Sequence, residues 1–231
     1  MRKFLFLGLL LAIAACSADS ESLKLPTGLN FVFDIKRDAA LGGKLNFYDG
    51  FVNIGRFTFD GDRVQGGDNF FDRNYPNGLQ LAFNPNDFSF DLNFDVPQGT
   101  YSRIEVDLEL LDNPMVDDEI TIQLEGVFTN SDGDQIPFIL QIEEFEAISL
   151  NATDELGNPQ IVLLSDQSST GIIRFNPAHW FAAVELDDLE EADLETIDGV
   201  ETLLINDDHN EEILEEVEDR IDELLDLIIY Q

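Results

Sequence analysis

The chain has 231 residues, with 48 acidic side chains against 12 basic ones and a formal net charge of −36 at pH 7. A charge of that sign and size repels nucleic-acid phosphates and anionic lipid head groups, so neither is expected as a partner. The hydrophobic fraction of 44%, with 19 Phe, still suffices for a packed core, so the acidity does not mean disorder.

Arg2 and Lys3 open the chain, residues 4–13 are apolar and broken only by Gly8, and Ala14 and Ala15 precede Cys16. Charged, apolar and small segments in that order make a secretory signal, too short to span a bilayer. Leu11, Ala12, Ile13, Ala14, Ala15 and Cys16 together resemble the lipobox of bacterial lipoproteins. The resemblance implies removal of residues 1–15 and a membrane anchor through lipid on Cys16. Cys16 is the one cysteine in the chain, so acylation leaves no thiol for a disulfide, a nucleophile or a zinc site. Residues 16–28 read as a polar, lipidated tether. Within it, Asp19 and Glu21 resemble the acidic export signal of Bacteroidetes-type surface lipoproteins. This implies an outer-membrane location, surface-exposed rather than periplasmic.

From residue 29 the pattern turns to period two, which predicts strands with one buried face. Phe31, Phe33 and Ile35 alternate with Val32, Asp34 and Lys36; Phe88, Phe90, Leu92, Phe94 and Val96 alternate with polar residues; so do Ile104, Val106, Leu108 and Leu110. Further strands are expected near 44–48, 51–59, 79–83, 119–129, 136–148, 160–165 and 171–175. Asp49-Gly50, Asp60-Gly61, Asn77-Gly78, Gln98-Gly99 and Asp132-Gly133 are read as the turns between them. About nine or ten such strands predict an antiparallel β-sandwich, with a hairpin around 130–134.

The C-terminal segment, 177–231, changes character. Asn176-Pro177 is a helix start, and residues 177–184 are expected to plug Trp180 and Phe181 into the core. Over 208–229, Ile213, Leu214, Val217, Ile221, Leu224, Leu225 and Ile228 recur at spacings of three and four, predicting an amphipathic helix packed on the sheet. The expected product is one domain over 29–231, monomeric if the sheet buries that stripe and a helix–helix dimer if it does not. Residues 185–231 hold 20 acidic side chains and one basic one, Arg220. A solvated acidic face is the favoured reading of that excess, and a docking surface for cations or a basic partner is the alternative.

Two acidic stretches are candidate calcium ligands: Asp60, Asp62, Asp68 and Asp72 in a glycine-rich segment, and Asn130, Asp132 and Asp134 with alternating oxygen spacing. The second departs from an EF-hand, with Gln135 in place of the required glycine and Gln141 in place of the glutamate. Turn chemistry explains both stretches without a metal and is the favoured reading, so no cofactor is assigned and calcium stays the alternative. His179 and His209 have no metal-motif spacing, and no nucleophile elbow, Ser-x-x-Lys or phosphate loop is present. No enzyme activity is expected. Glycan binding would need an exposed aromatic platform, for which Tyr48, Tyr75, Tyr101 and Trp180 are the candidates.

The order of features resembles that of uncharacterised Bacteroidetes lipoproteins. These carry a lipobox, a Pro-x-Gly-x-Tyr segment (Pro97, Gly99 and Tyr101 here), a Pro-x-x-Trp-Phe turn (Pro177, Trp180 and Phe181) and a closing helix. The resemblance implies a β-rich fold and an envelope location. The expected function is a non-catalytic binding or structural module, with a calcium-binding module and a glycan-binding accessory lipoprotein as alternatives.

Overall fold

The computed structural model describes residues 22–84, 92–111, 120–143, 147–221, 223 and 225–231. Cys16, the signal segment and the first part of the tether, through residue 21 and so including Asp19 and Glu21, lie outside the described residues, as do Phe88, Phe90 and Leu224. The described part is mainly β. Its strands are β1 (Pro26–Ile35), β2 (Leu45–Arg63), β3 (Asn69–Ala82), β4 (Asn93–Pro97), β5 (Gly99–Leu110), β6 (Ile122–Thr129) and β7 (Gln135–Ile142). They continue with β8 (Ala147–Asp154), β9 (Ile161–Leu163), β10 (Ser169–Phe175), β11 (Glu195–Ile197), β12 (Val200–Ile205) and β13 (Asp226–Tyr230). Three short helices follow β10: α1 (Pro177–Trp180), α2 (Leu186–Glu191) and α3 (Glu211–Glu218).

All 13 strands belong to one mixed sheet, ordered β11-β12-β7-β6-β2-β5-β8-β13-β10-β1-β4, with β3 on β2 and β9 on β5. This corrects the expected antiparallel sandwich of about nine or ten strands. Three pairings are parallel, β1 with β10, β7 with β12 and β8 with β13. Parallel partners need no shared turn, so alternation along each strand could not reveal them.

β2 is the spine, 19 residues long. Its first part pairs with β6 and its second part with β5 and β3. The turns expected at Asp49-Gly50 and Asp60-Gly61 are therefore not turns. Tyr48 is absorbed as a bulge between Phe47 and Asp49, and Gly50 (φ 148°) faces Gln123 so closely that a Cβ would lie 2.1 Å from its carbonyl oxygen. Gly61 is needed for contact instead of turning, since a Cβ there would meet the Tyr101 ring at 2.6 Å. Asn77-Gly78 lies inside β3, where the register against β2 shifts at Ile54 and Arg56.

The sheet closes over phenylalanines. Phe31 of β1 lies 4.9 Å from Phe57 of β2, ring centre to ring centre, and Phe94 of β4 lies 4.6 Å from Phe71 of β3. Phe31, Phe57 and Phe94, the buried rings of this group, each contribute about 1.5–3 kcal/mol by burial. At the other end of β2, Phe47, Phe138 and Phe181 sit within 6.0 Å of one another. Trp180 and Phe181 are fully buried beside α1, as the Pro-x-x-Trp-Phe segment predicts.

The expected helix over 208–229 is corrected to two elements. α3 buries Ile213, Leu214 and Val217, but residues 226–230 form β13, between β8 and β10. Leu227 and Ile229 point inward there, each 2% exposed. A run of Leu and Ile fits a stripe of period 3.6 and an alternation of period two equally well over five residues, and the open slot between β8 and β10 decides for the strand.

Candidate functional site

Asp60 and Asp62 project from β2 toward Arg103 of β5, their Oδ2 atoms 3.0 and 2.8 Å from its guanidinium. Glu105 is a third partner of the same side chain. Hydrogen bonding to Arg103, with its charge in support, holds the Asp62 carboxyl below its usual range, and those partners raise the guanidinium. Asp72 of β3 pairs instead with Arg56 at 3.2 Å, and Arg56 reaches Glu109 at 3.1 Å. Asp68 accepts the Arg63 backbone N–H at 3.3 Å. The four acids proposed as one calcium loop are thus divided among three arginines.

Asn130, Asp132 and Asp134 sit in the turn joining β6 to β7. Asn130 Oδ1 accepts the Asp134 N–H at 2.8 Å, Asn130 Nδ2 donates to Asp134 Oδ2 at 3.5 Å, and Asp132 is exposed. Lys44 donates to the Asn130 carbonyl at 2.8 Å, and Ser131 donates its N–H to Glu190 of α2, also at 2.8 Å. These bonds close a turn and dock it to a helix. Among the described residues, no group of three or more His, Cys, Asp or Glu is arranged to hold a metal. His179 meets Glu223 at 2.7 Å and His209 meets Glu195 at 3.2 Å.

The acid-rich segment opens a cleft of about 400 Å³ between α2 and α3, lined by Asp188, Glu191, Ala192, Asp193, Asn210, Glu211, Glu212, Ile213 and Glu216. Six carboxylates line it and no basic side chain does. Asn210 sets its shape from a left-handed backbone (φ 57°, ψ 41°). Its Oδ1 accepts the Asp193 N–H at 3.0 Å, while Nδ2 donates to the carbonyls of Leu204 at 2.7 Å and Asp193 at 3.0 Å. Sequence reasoning missed Asn210. The available signal was an Asn, tolerant of that conformation, directly before Glu211 and Glu212 at a helix start. Chemically, such a cleft concentrates cations.

Of the four rings weighed as platforms, Trp180 and Tyr101 are fully buried, Tyr75 packs against the core, and Tyr48 is 53% exposed. The Tyr101 hydroxyl donates to the Pro97 carbonyl at 2.7 Å. That bond explains the Pro-x-Gly-x-Tyr segment, with Gly99 (φ 143°) turning the chain between the two. Burial pushes the Tyr101 hydroxyl up to about 12.

Among the described residues, no helix is long and apolar enough to cross a membrane. No family model matches the chain, nor does any curated protein or solved structure.

Proposed function

We propose that the protein is an envelope lipoprotein, surface-exposed on the outer membrane, that acts as a non-catalytic binding module. The observation that carries this reading is how the chain leaves its tether. Arg63, at the end of β2, donates to the carbonyls of Leu23 at 2.6 Å and Gln98 at 2.7 Å, and Gln98 donates its N–H to Leu25 at 2.8 Å. Tyr48 and the turn carrying Asn130 belong to the opposite end of that strand, roughly 50 Å away along its path at ~3.3 Å per residue. The cleft joins that distal end, because Glu190 of α2 holds Ser131. A lipid on Cys16 would therefore keep the acidic cleft far from head groups that repel it.

Membrane fractionation of cells expressing the chain and its Cys16→Ser variant tests this. The expected result is a parent protein released only by detergent and a soluble variant, with protease added to intact cells digesting the parent. A variant that stays on the membrane, or a parent shielded from protease, sinks the anchor or the surface location respectively.

A further inference from the structure

On the outward side of β6 and β7, Gln123 and Gln141 continue a row of side-chain amides that starts at Asn206, just after β12, with one hydrogen-bond direction. Asn206 Oδ1 accepts the backbone N–H groups of His209 and Asp208 at 2.9 and 3.2 Å. Its Nδ2 is therefore the end that donates to Gln141 Oε1, at 3.1 Å. Gln141 Nε2 donates to Gln123 Oε1 at 3.1 Å, and Gln123 Nε2 donates to Glu125 Oε1 at 3.0 Å. Backbone donors at one end thus orient every amide, and the row stops on one oxygen of a carboxylate. Around Asp60, Asp62 and Asp72 the chain neutralises acids with arginine; here it orients Glu125 with a neutral donor and leaves its charge in place.

Glu125 lines a hollow of about 390 Å³ together with Asp49, Gly50, Phe51, Gln80 and Ala82. That volume is within the range of small-ligand pockets, ~300–1,000 Å³. Asp49 is oriented as well, its Oδ1 accepting the Gly50 N–H at 2.8 Å. Tyr48 directly precedes Asp49, is bulged out of the β2–β6 ladder, and is 53% exposed. Partial burial, then the charges of Glu125 and Asp49, raise its hydroxyl above the ordinary value.

An exposed ring next to oriented carboxylates and an amide is complementary to a polyol. Sugar hydroxyls donate to carboxylate oxygens in charge-assisted bonds, and the apolar C–H side of the sugar covers the ring. A bare cation would use neither the ring nor the amide. We propose that the hollow lined by Asp49, Gln80 and Glu125, together with the exposed ring of Tyr48, the residue before Asp49, binds a neutral sugar residue of a glycan. The Tyr48 ring is the stacking platform, and Glu125, set by the Asn206–Gln141–Gln123 row, is the hydroxyl acceptor. This rests on the binding-module reading above and gives that module its ligand class.

Affinity electrophoresis of the full chain, purified in detergent, through gels containing soluble starch, laminarin, mannan or xylan provides the test. The expected result is retardation by at least one of them, unaffected by EDTA. Tyr48→Ala and Glu125→Gln should each weaken it about tenfold, as loss of one charged hydrogen bond or one stacked ring does, with melting midpoints unchanged. Retardation by none of the four, equal retardation of parent and variants, or dependence on a divalent cation overturns the proposal. Fractionating the Tyr48→Ala variant separates the two readings, since loss of sugar binding leaves Cys16 anchoring intact, whereas failure of anchoring shows in Cys16→Ser alone.

Discussion

Arg63 Nη2 donates to the carbonyl oxygen of Leu23 at 2.6 Å and so fastens the segment before β1 to the end of β2. The same guanidinium reaches the carbonyls of Gln98, Gly66 and Gly67 and lies 5.8 Å from the centre of the Tyr101 ring. One side chain thereby closes the loop after β2, the start of β5 and the approach to β1. Arg63→Ala is expected to cost about 1–3 kcal/mol through carbonyls left without their donor. It should also speed tryptic cleavage after Lys24, measured by mass spectrometry on a time course. An unchanged cleavage rate would mean that the segment before β1 is held by other contacts.

Arg103 holds Asp60, Asp62 and Glu105 on one outward face. Because Asp62 is held below the ordinary carboxyl range in the fold, its contribution to stability is present above the unfolded value, ~3.9, and is lost as pH falls through the lowered one. Arg103→Gln removes that contribution and leaves three carboxylates facing one another, a repulsion that protonation relieves. The variant is expected to melt below the parent at pH 7, with the gap narrowing from pH 5 to pH 3. Thermal unfolding across that range checks it, and a gap that widens on acidification would contradict the pairing.

Tyr101 gives the opposite sign. Its hydroxyl donates to the Pro97 carbonyl, and burial of the residue pushes it up to about 12, against ~10 unfolded. A raised value means stability that is complete below pH 10 and is lost as pH rises from ~10 toward 12, in total up to about 2–3 kcal/mol. Tyr101→Phe should cost about 1 kcal/mol at pH 7 for the lost bond and be flatter than the parent at alkaline pH. Urea midpoints at pH 8, 10 and 11 distinguish the two.

Six carboxylates and no basic side chain line the cleft between α2 and α3. Glu191 stands at the C-terminal end of α2, where the helix dipole disfavours a negative charge as its neighbours do. Glu191→Gln is expected to stabilise the fold by about 0.3–1 kcal/mol at low ionic strength, and less at 0.5 M salt. At matched ionic strength, calcium, magnesium and sodium chloride should raise the parent midpoint equally. A rise specific to calcium would assign the acidic surface to metal binding.

Legibility from sequence followed the range of the forces involved. Alternation is local, so Ile104, Val106, Leu108 and Leu110 are all buried as period two predicts. The Asn130-to-Asp134 turn is also local, set by one side chain and the backbone four residues on. Asp49-Gly50 and Asp60-Gly61 misled because glycine serves close approach as well as turning, and the approaching groups, Gln123 and Tyr101, are distant in sequence. The partners of the acids near 60–72 were hidden for a related reason. Two of their partners, Arg56 and Arg103, come from other strands or positions, and nothing in the spacing of Asp60, Asp62 and Asp72 announces an arginine. The outward placement of Tyr48 needed the β2 bulge, which only the pairing with β6 reveals.

The C-terminus offers the sharpest discrimination between the two periodicities. A helix over 208–229 would bury Ile228 with Ile221 and Leu225, leaving Ile229 off the stripe. As β13, the same residues alternate: Leu227 and Ile229 are each 2% exposed, and Ile228 is only half-buried. Truncating a buried isoleucine costs about 2–5 kcal/mol, from lost transfer energy and the cavity left behind. Ile229→Ala should therefore lower the urea midpoint by much more than Ile228→Ala, with similar denaturant slopes for both. Ile229 also pairs with Gly171 of β10 and with Asp154 of β8, so loosening it should raise amide exchange in both neighbouring strands. If Ile228→Ala proved the more damaging of the two, residues 226–230 would be helical and the slot between β8 and β10 would need another occupant.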